Sequence, residues 1–172
     1  YIKMILKIDE SIARCFFVKK VLVVEGDTEQ VVLTETINRM PYDLKNQILS
    51  DWHIVRARGK AAIIPLVKYL KAMTIDVYVI HDGDFGVDGA ERFNEPIKNA
   101  LSDDDKLVVL KNCIEDVLGY SAPKSDKPFV AYKHIQDNWT DWSSIPELWR
   151  KSVEKIFNGG KTIIHKTNTS EL

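Results

Sequence analysis

Cysteine is scarce in this chain of 172 residues: there are two, Cys15 and Cys113, far apart and at no metal-ligand spacing. That excludes a disulfide-stapled scaffold and a cysteine-based zinc site, and it points to a reduced, cytoplasmic setting. Long apolar runs are missing as well. Nothing approaches the ~20 consecutive residues that a membrane-spanning helix needs, no secretory leader is expected, and no membrane is expected as a partner. Charge of one sign is also lacking. Twenty-four Lys and Arg against 25 Asp and Glu leave a formal net charge of −1, so no global field draws in nucleic acid and any binding must come from a local patch. There is no internal repeat and no low-complexity stretch. The chain begins at Tyr1 rather than Met, which is expected of an excised piece or of an incompletely ordered one.

What remains is an ordinary globular composition, 45% hydrophobic and 28% charged, in a chain long enough for one domain with a sizeable core. Residues 1–19 are mixed apolar and basic, with Ile5, Ile8 and Ile12 at roughly helical spacing, and read as a helix or connector arriving from upstream. Lys20 to Val24 is a short β-branched strand. Asp27 is expected to cap the following helix, with Gln30 as its reciprocal partner. That helix carries Leu33, Ile37 and Met40 on one face and stops before Pro41. His53 to Ala57 reads as a second strand. Gly59-Lys60 opens a second helix with Ile63, Val67 and Leu70 inward, although Pro65 sits awkwardly within it. Ile75 to Ile80 is a third strand that ends at Asp82, a helix is expected from Glu91 to Ala100, and Leu107 to Leu110 is a fourth strand. Asn112 and Glu115 read as a capping pair before a short helix that ends at Gly119. Strand and helix alternate, so the sheet should be mostly parallel. After Gly119 the character changes. Two prolines and several charges mark a boundary, and Phe129–Gln136 and Ile145–Phe157 are helical candidates anchored by Trp139, Trp142 and Trp149. The expected organisation is a connector over 1–19, an α/β domain over 20–120 and a mainly helical subdomain over 121–172.

Two acidic clusters stand out. Glu25 and Glu29 follow the apolar run Val21 to Val24, and Asp82-Gly83-Asp84 follows the run Val77 to Ile80. Each lies at the exit of a buried strand, the edge at which sites form in open α/β sheets. Carboxylates converging there repel one another unless a cation sits among them. Hard divalent cations such as Mg²⁺ take carboxylate oxygen and are used to handle phosphates. For any single acid a plainer account exists: Glu29 complements a helix dipole, Glu25 is a solvated turn residue and Asp88 a surface residue. The plainer account explains poorly why an acid beside glycine follows four consecutive apolar residues. His81 reads as a hydrogen-bonded histidine beside its strand rather than a ligand. Arg56, Arg58, Lys60, Lys68 and Lys71 lie in a stretch, 52–75, without an acid. It reads either as a solvated face or, at Arg56, Arg58 and Lys60, as a phosphate-binding edge at a helix N-terminus.

The stretch Phe16 to Glu29, the Gly59-Lys60 helix start and the strand followed by His81-Asp82-Gly83-Asp84 together resemble the Toprim domain of OLD-family nucleases. The resemblance covers residues 16 to 120 well and the remainder loosely. It implies a Rossmann-like Toprim fold, a four-stranded mostly parallel sheet flanked by helices, and metal-dependent cutting or nicking of DNA. It makes Glu25, Asp82 and Asp84 catalytic and metal-binding, with Glu29 as the additional acid of this type of site and Glu115 or Asp116 as the acid after the fourth strand. It calls for Mg²⁺ or Mn²⁺ at a two-metal site. It also calls for a lysine C-terminal to the acids, with Lys127, Lys161 or one beyond residue 172 as candidates and Lys127 preferred. An ATPase domain usually precedes such Toprim domains; this chain does not contain one, so ATP is not expected to bind here. Expected partners are DNA, that upstream ATPase domain, further copies of the chain, and a helicase or other phage-defence protein.

Alternative readings remain open. A primase- or topoisomerase-type Toprim domain is one, but the tyrosines Tyr120 and Tyr132 have no nucleophile motif around them. A receiver-type phosphoacceptor would place paired acids after the first strand, where this chain has Glu-Gly. A catalytically idle scaffold that binds DNA or a partner is the last, and the intact acids argue against it.

Overall fold

The structure is a computed structural model that describes residues 10–87 and 89–164. The expectations for Ile5 and Ile8 and for Asp88 lie outside those residues. A short helix α1 (Glu10–Arg14) and a 3-10 turn lead into strand β1 (Lys20–Val24). Then follow α2 (Asp27–Asn38), α3 (Tyr42–Asp51), β2 (Trp52–Arg56), α4 (Lys60–Ala72) and β3 (Asp76–Asp82). The chain continues through α5 (Asn94–Leu101), β4 (Leu107–Leu110), α6 (Ile114–Leu118), α7 (Lys127–Asn138) and α8 (Glu147–Asn158).

The four strands lie in the order β2-β1-β3-β4, and every pairing is parallel. A parallel sheet needs crossover connections that cover both of its faces, so its strands read as unbroken apolar runs. The run Val21 to Val24 divides between the two faces. Leu22 and Val24 join one core cluster, with Leu33, Ile37 and Ile80. Val21 and Val23 join the other, with Ile63, Val67, Leu70 and Ile97. The register sets Val24 opposite Arg56 and Ile80, and Asp82 opposite Leu110. The C-terminal ends of all four strands therefore open on one edge.

Several local expectations are corrected. The N-cap of α2 is Gly26 rather than Asp27, and the reciprocal carboxylate is that of Glu29, whose Oε2 accepts the Gly26 N–H at 3.0 Å. Gln30 lies one residue too far along to reach back. Asn112 pairs not with Glu115 but with Asp116, Nδ2 to Oδ2 at 2.9 Å, because Glu115 is turned into the interior at 1% exposure. Helix α3 had no counterpart in the sequence reading. It fully buries only Ile48, so its apolar periodicity is faint. Pro65 does lie within α4. It forfeits one amide hydrogen bond there, while Ile63, Leu66, Val67 and Leu70 on the buried face hold the helix to the sheet.

The C-terminal helices share the core of the sheet. Helix α7 lies along α2, and Trp139, Trp142 and Trp149 are 3%, 2% and 0% exposed in the cluster that contains Leu22 and Ile80. Trp149 Nε1 donates to Thr36 Oγ1 at 2.8 Å across the helix interface. Among the described residues no helix is long and apolar enough to cross a membrane.

Candidate functional site

From β1 the chain reaches β2 on one side, while β3 lies on the other. Such a reversal opens a crevice at the carboxyl ends of the two strands that flank it. Glu25 leaves β1 at that crevice and Asp82 ends β3 there. Glu29 stands on the first turn of α2, Asp84 lies two residues beyond β3, and Glu115 enters from α6, just past β4. Five acids from three separate chain segments thus meet at one edge.

Their electrostatics reflect that meeting. Burial, aided by the charges of Glu29, Glu25, Asp84 and Glu115, pushes the Asp82 carboxyl up to about 8. Burial, then Glu29 and Asp84, push Glu25 up to about 7, against the pull of the Lys60 charge and the Lys60 backbone N–H. Glu29 is raised chiefly by burial, with hydrogen bonds from its own N–H and that of Gly26 opposing and Glu115 adding to the rise. Burial and like charge favour the protonated form of a carboxyl. Three of the acids also bury an oxygen that accepts no hydrogen bond: Glu25 Oε2, Asp82 Oδ1 and Glu115 Oε2. Buried acceptors without partners are rare in folded proteins and call for an explanation.

Lys127, at the start of α7, brings a cation to this edge. Its Nζ lies 3.2 Å from Glu115 Oε1, a close ion pair without hydrogen-bond alignment. Burial works against the charged ammonium, but Glu115, Cys113 and Asp82 more than offset it, so Lys127 titrates above the ordinary lysine value. Lys161, the other candidate within the chain, is exposed in the segment after α8.

The three basic residues read as a phosphate-binding edge have separate fates. Arg58 is exposed, with a left-handed backbone at φ +61°. Arg56 is bound to the carboxylate of Asp27. Lys60 is 6% exposed and reaches under the acids, where its Nζ donates to Asp84 Oδ2 at 2.9 Å and to the Gly83 carbonyl at 3.2 Å. An open cleft of about 450 Å³ lies against Glu25, Arg58, Lys60, Asp84 and Phe93. His81 is fully buried, with Nδ1 2.7 Å from the Asp82 carbonyl. A carbonyl only accepts, so Nδ1 carries the proton, and burial lowers the pKa of the ring.

Three further groups at the site carry no sequence signal of their own. Asn94 Nδ2 donates to the Gly83 carbonyl at 2.8 Å from the start of α5. The buried Tyr120 hydroxyl has no hydrogen-bond partner and is pushed up to about 12 by burial, then by Glu115 and Cys113. Burial, with Glu115 beside it, pushes the Cys113 thiol up to about 11. Only the fold sets these groups beside the acids.

Residues 16–84 match the family model of the overcoming lysogenization defect (OLD) protein-like Toprim domain. This segment is similar to the OLD-like Toprim domain. The chain is 25% identical to an OLD nuclease of Thermus scotoductus over 168 residues. That match takes in 87% of this chain and 30% of the relative, so the chain spans about a third of that protein's length. The fold is shared with the C-terminal region of the Burkholderia pseudomallei OLD protein, at TM-score 0.55 and 15% identity over 85% of this chain and 100% of that one. It is likewise shared with the corresponding region from Xanthomonas campestris pv. campestris, at TM-score 0.54 and 16% identity over 84% and 97%.

Toprim chemistry implies hard divalent cations, and the residues present fit them. The donor set is carboxylate oxygen, the preferred ligand of such ions, and the buried oxygens of Glu25, Asp82 and Glu115 that accept no hydrogen bond could serve as ligands. Among the described residues, no three His, Cys, Asp or Glu side chains are placed to hold a common ion.

Proposed function

We propose that this Toprim domain hydrolyses phosphodiester bonds in DNA with the help of divalent cations, Mg²⁺ or Mn²⁺. The observation that carries the reading is the set of buried, unpartnered oxygens on Glu25, Asp82 and Glu115 at the switch point of the sheet. Glu25, Glu29, Asp82, Asp84 and Glu115 would hold the ions. When bound, such ions lower the pKa of water for attack on the phosphate and stabilise the leaving oxygen. Lys127 neutralises charge that develops on the phosphate, a role favoured in a water-poor site. Arg58, at the mouth of the cleft, is the backbone-phosphate contact best placed by its exposure. Arg56 would join it by exchanging Asp27 for phosphate.

A topoisomerase-type reading would require an ionisable tyrosine nearby. The buried Tyr120 hydroxyl, held up at about 12, is ill suited to attack. By analogy with the longer OLD relatives, the chain would work beside an ATPase domain, as a homo-oligomer in the cytoplasm. A role in phage defence with a helicase or similar partner fits the same reading. Residues 20–120 would be the catalytic unit, 1–19 the connector to the ATPase, and 121–172 the part that delivers Lys127.

The test is cleavage of supercoiled plasmid with Mg²⁺, Mn²⁺ or EDTA, by the wild type and by Glu25→Gln and Asp82→Asn. Both variants should lose cleavage at least about 100-fold yet melt at or above the wild-type temperature in EDTA, since each removes one member of a repelling cluster. Divalent-independent cleavage, or variants that unfold in proportion to lost activity, would overturn the reading.

A further inference from the structure

One residue touches both acidic motifs. The backbone N–H of Lys60, at the start of α4, hydrogen-bonds the Glu25 carboxylate. Its ammonium, buried in the same position, binds Asp84 Oδ2 and the Gly83 carbonyl. The Gly83 carbonyl is held from its other side by Asn94. Asp84 has a left-handed backbone at φ +49°, a conformation that the surroundings must maintain for a residue with a Cβ. Gly83 lies close against the end of β4 and has no room for a side chain, because a Cβ there would stand 2.4 Å from the Leu110 carbonyl oxygen and 2.9 Å from that of Lys111. The turn that presents Asp82 and Asp84 is therefore clamped between β4 and the Lys60 side chain.

A lysine is seldom as buried as this without a compensating partner, because desolvating its charge is costly. Its partner here is one of five acids that crowd a single edge. A second lysine at that edge, Lys127, is half exposed and lies against Glu115. With the two lysines counted, the cluster keeps a net negative charge, and Lys60 is the part of the compensation that the folded chain carries permanently.

We propose that Lys60 is a positioning residue rather than a DNA contact: a resident cation that holds the Asp82-Gly83-Asp84 turn and sets how strongly the site draws divalent ions. The inference rests on the metal-dependent reading above and deepens it. In the absence of divalent ions Lys60 supplies the positive charge for Asp84. When ions enter, they add to a charge already present, so Lys60 moderates their affinity while it keeps the ligands in place.

The experiment compares the full chain with Lys60→Met, Lys60→Arg and the double variant Lys60→Met/Asp84→Asn, by melting in EDTA and in saturating Mn²⁺ and by calorimetric titration with Mn²⁺. Lys60→Met should melt below wild type in EDTA and recover most of the deficit in Mn²⁺, with a Kd for Mn²⁺ tighter by about tenfold or more, because a fixed positive charge near the ion has gone. Lys60→Arg should restore the EDTA melting temperature, and the double variant should melt above Lys60→Met in EDTA because the uncompensated acid has been removed. A deficit of equal size in EDTA and Mn²⁺ would make Lys60 a purely structural pair and overturn the proposal. So would an unchanged EDTA melting temperature, the outcome expected of a DNA contact. A wild-type chain that binds no Mn²⁺ would overturn the metal reading itself, whereas Mn²⁺ binding identical in wild type and Lys60→Met defeats only the role given to Lys60.

Discussion

Lys127, the first residue of α7, stands 3.2 Å from Glu115, an acid of α6 that is 1% exposed. The pair joins the C-terminal helices to the acidic edge of the sheet and unites a half-exposed cation with a buried anion. Replacing Lys127 by Met should cost between the ~1 kcal/mol of an exposed pair and the ~3 kcal/mol of a buried one, and it should abolish DNA cleavage at temperatures where the variant stays folded. Thermal melting and single-turnover cleavage check both parts. A folded Lys127→Met that cleaves at the wild-type rate would pass the catalytic role to Lys161 or to a residue outside this chain.

The raised acids give the metal-free protein a definite pH dependence. Unfolded, Asp82 and Glu25 titrate near 3.8 and 4.5; folded, near 8 and 7. Between those limits the folded state binds more protons, so stability falls as pH rises. The contribution is complete below about pH 4 and is lost through pH 7 to 8. His81 acts in the opposite sense, since its folded pKa is depressed and its effect ends near its unfolded value of about 6.5. Above that pH the acids lead, joined toward pH 8.5 by Cys113, whose raised thiol pKa acts in the same direction. Melting temperature in EDTA should therefore drop from pH 6.5 to pH 8.5, and saturating Mg²⁺ should flatten or reverse the drop. A melting temperature that rises with pH in EDTA would contradict the electrostatic description of the site.

Gly83 separates the two aspartates and has no room for a side chain. The Cβ of Gly83→Ala would meet the Leu110 carbonyl oxygen at 2.4 Å and a ring carbon of Phe85 at 2.5 Å. Phe85 is exposed and can swing aside, but the backbone of β4 cannot. Overpacking of this kind costs about 1–3 kcal/mol, and it displaces both aspartates. Urea denaturation should register the loss, and Mn²⁺ affinity should fall with it. An alanine variant of wild-type stability would mean that the close approach to β4 is not maintained in solution.

The Trp149–Thr36 hydrogen bond tests whether the C-terminal helices fold with the sheet. Trp149→Phe removes a buried donor and leaves the Thr36 hydroxyl with its Val32 carbonyl partner alone. The expected cost is about 1–3 kcal/mol, roughly 2–4 °C of melting temperature per kcal/mol at this size, in one cooperative transition. Thr36→Val combined with Trp149→Phe should cost less than the two single changes added together. Two resolved transitions would show that residues 121–172 unfold independently of the sheet.

Hydrophobic patterning by itself determined the elements that bury an unbroken or strongly periodic apolar face. Lys20–Val24 and Leu107–Leu110 are strands with the bounds expected from sequence, because strands of a covered parallel sheet read as nearly continuous apolar runs. The acids at the ends of β1 and β3 were equally legible, since an acid directly after such a run has few structural reasons to be there. Helix α3 was not legible, because a helix that buries little but Ile48 has little period to read. Tertiary structure alone decided the partners. A charge on a helix reads as solvated until the fold shows what lies beneath it, and Lys60, grouped by sequence with Arg56 and Arg58, proves to be buried against Asp84. Glu115 lost its local capping partner to Asp116 and gained Lys127, twelve residues away on another helix. Local propensity acts within a few residues, whereas the energy of a buried charge is set by whatever the fold places within a few ångströms of it. Sequence could therefore name the acids, and only the packing of α4 and α7 against the sheet edge could say which cations answer them.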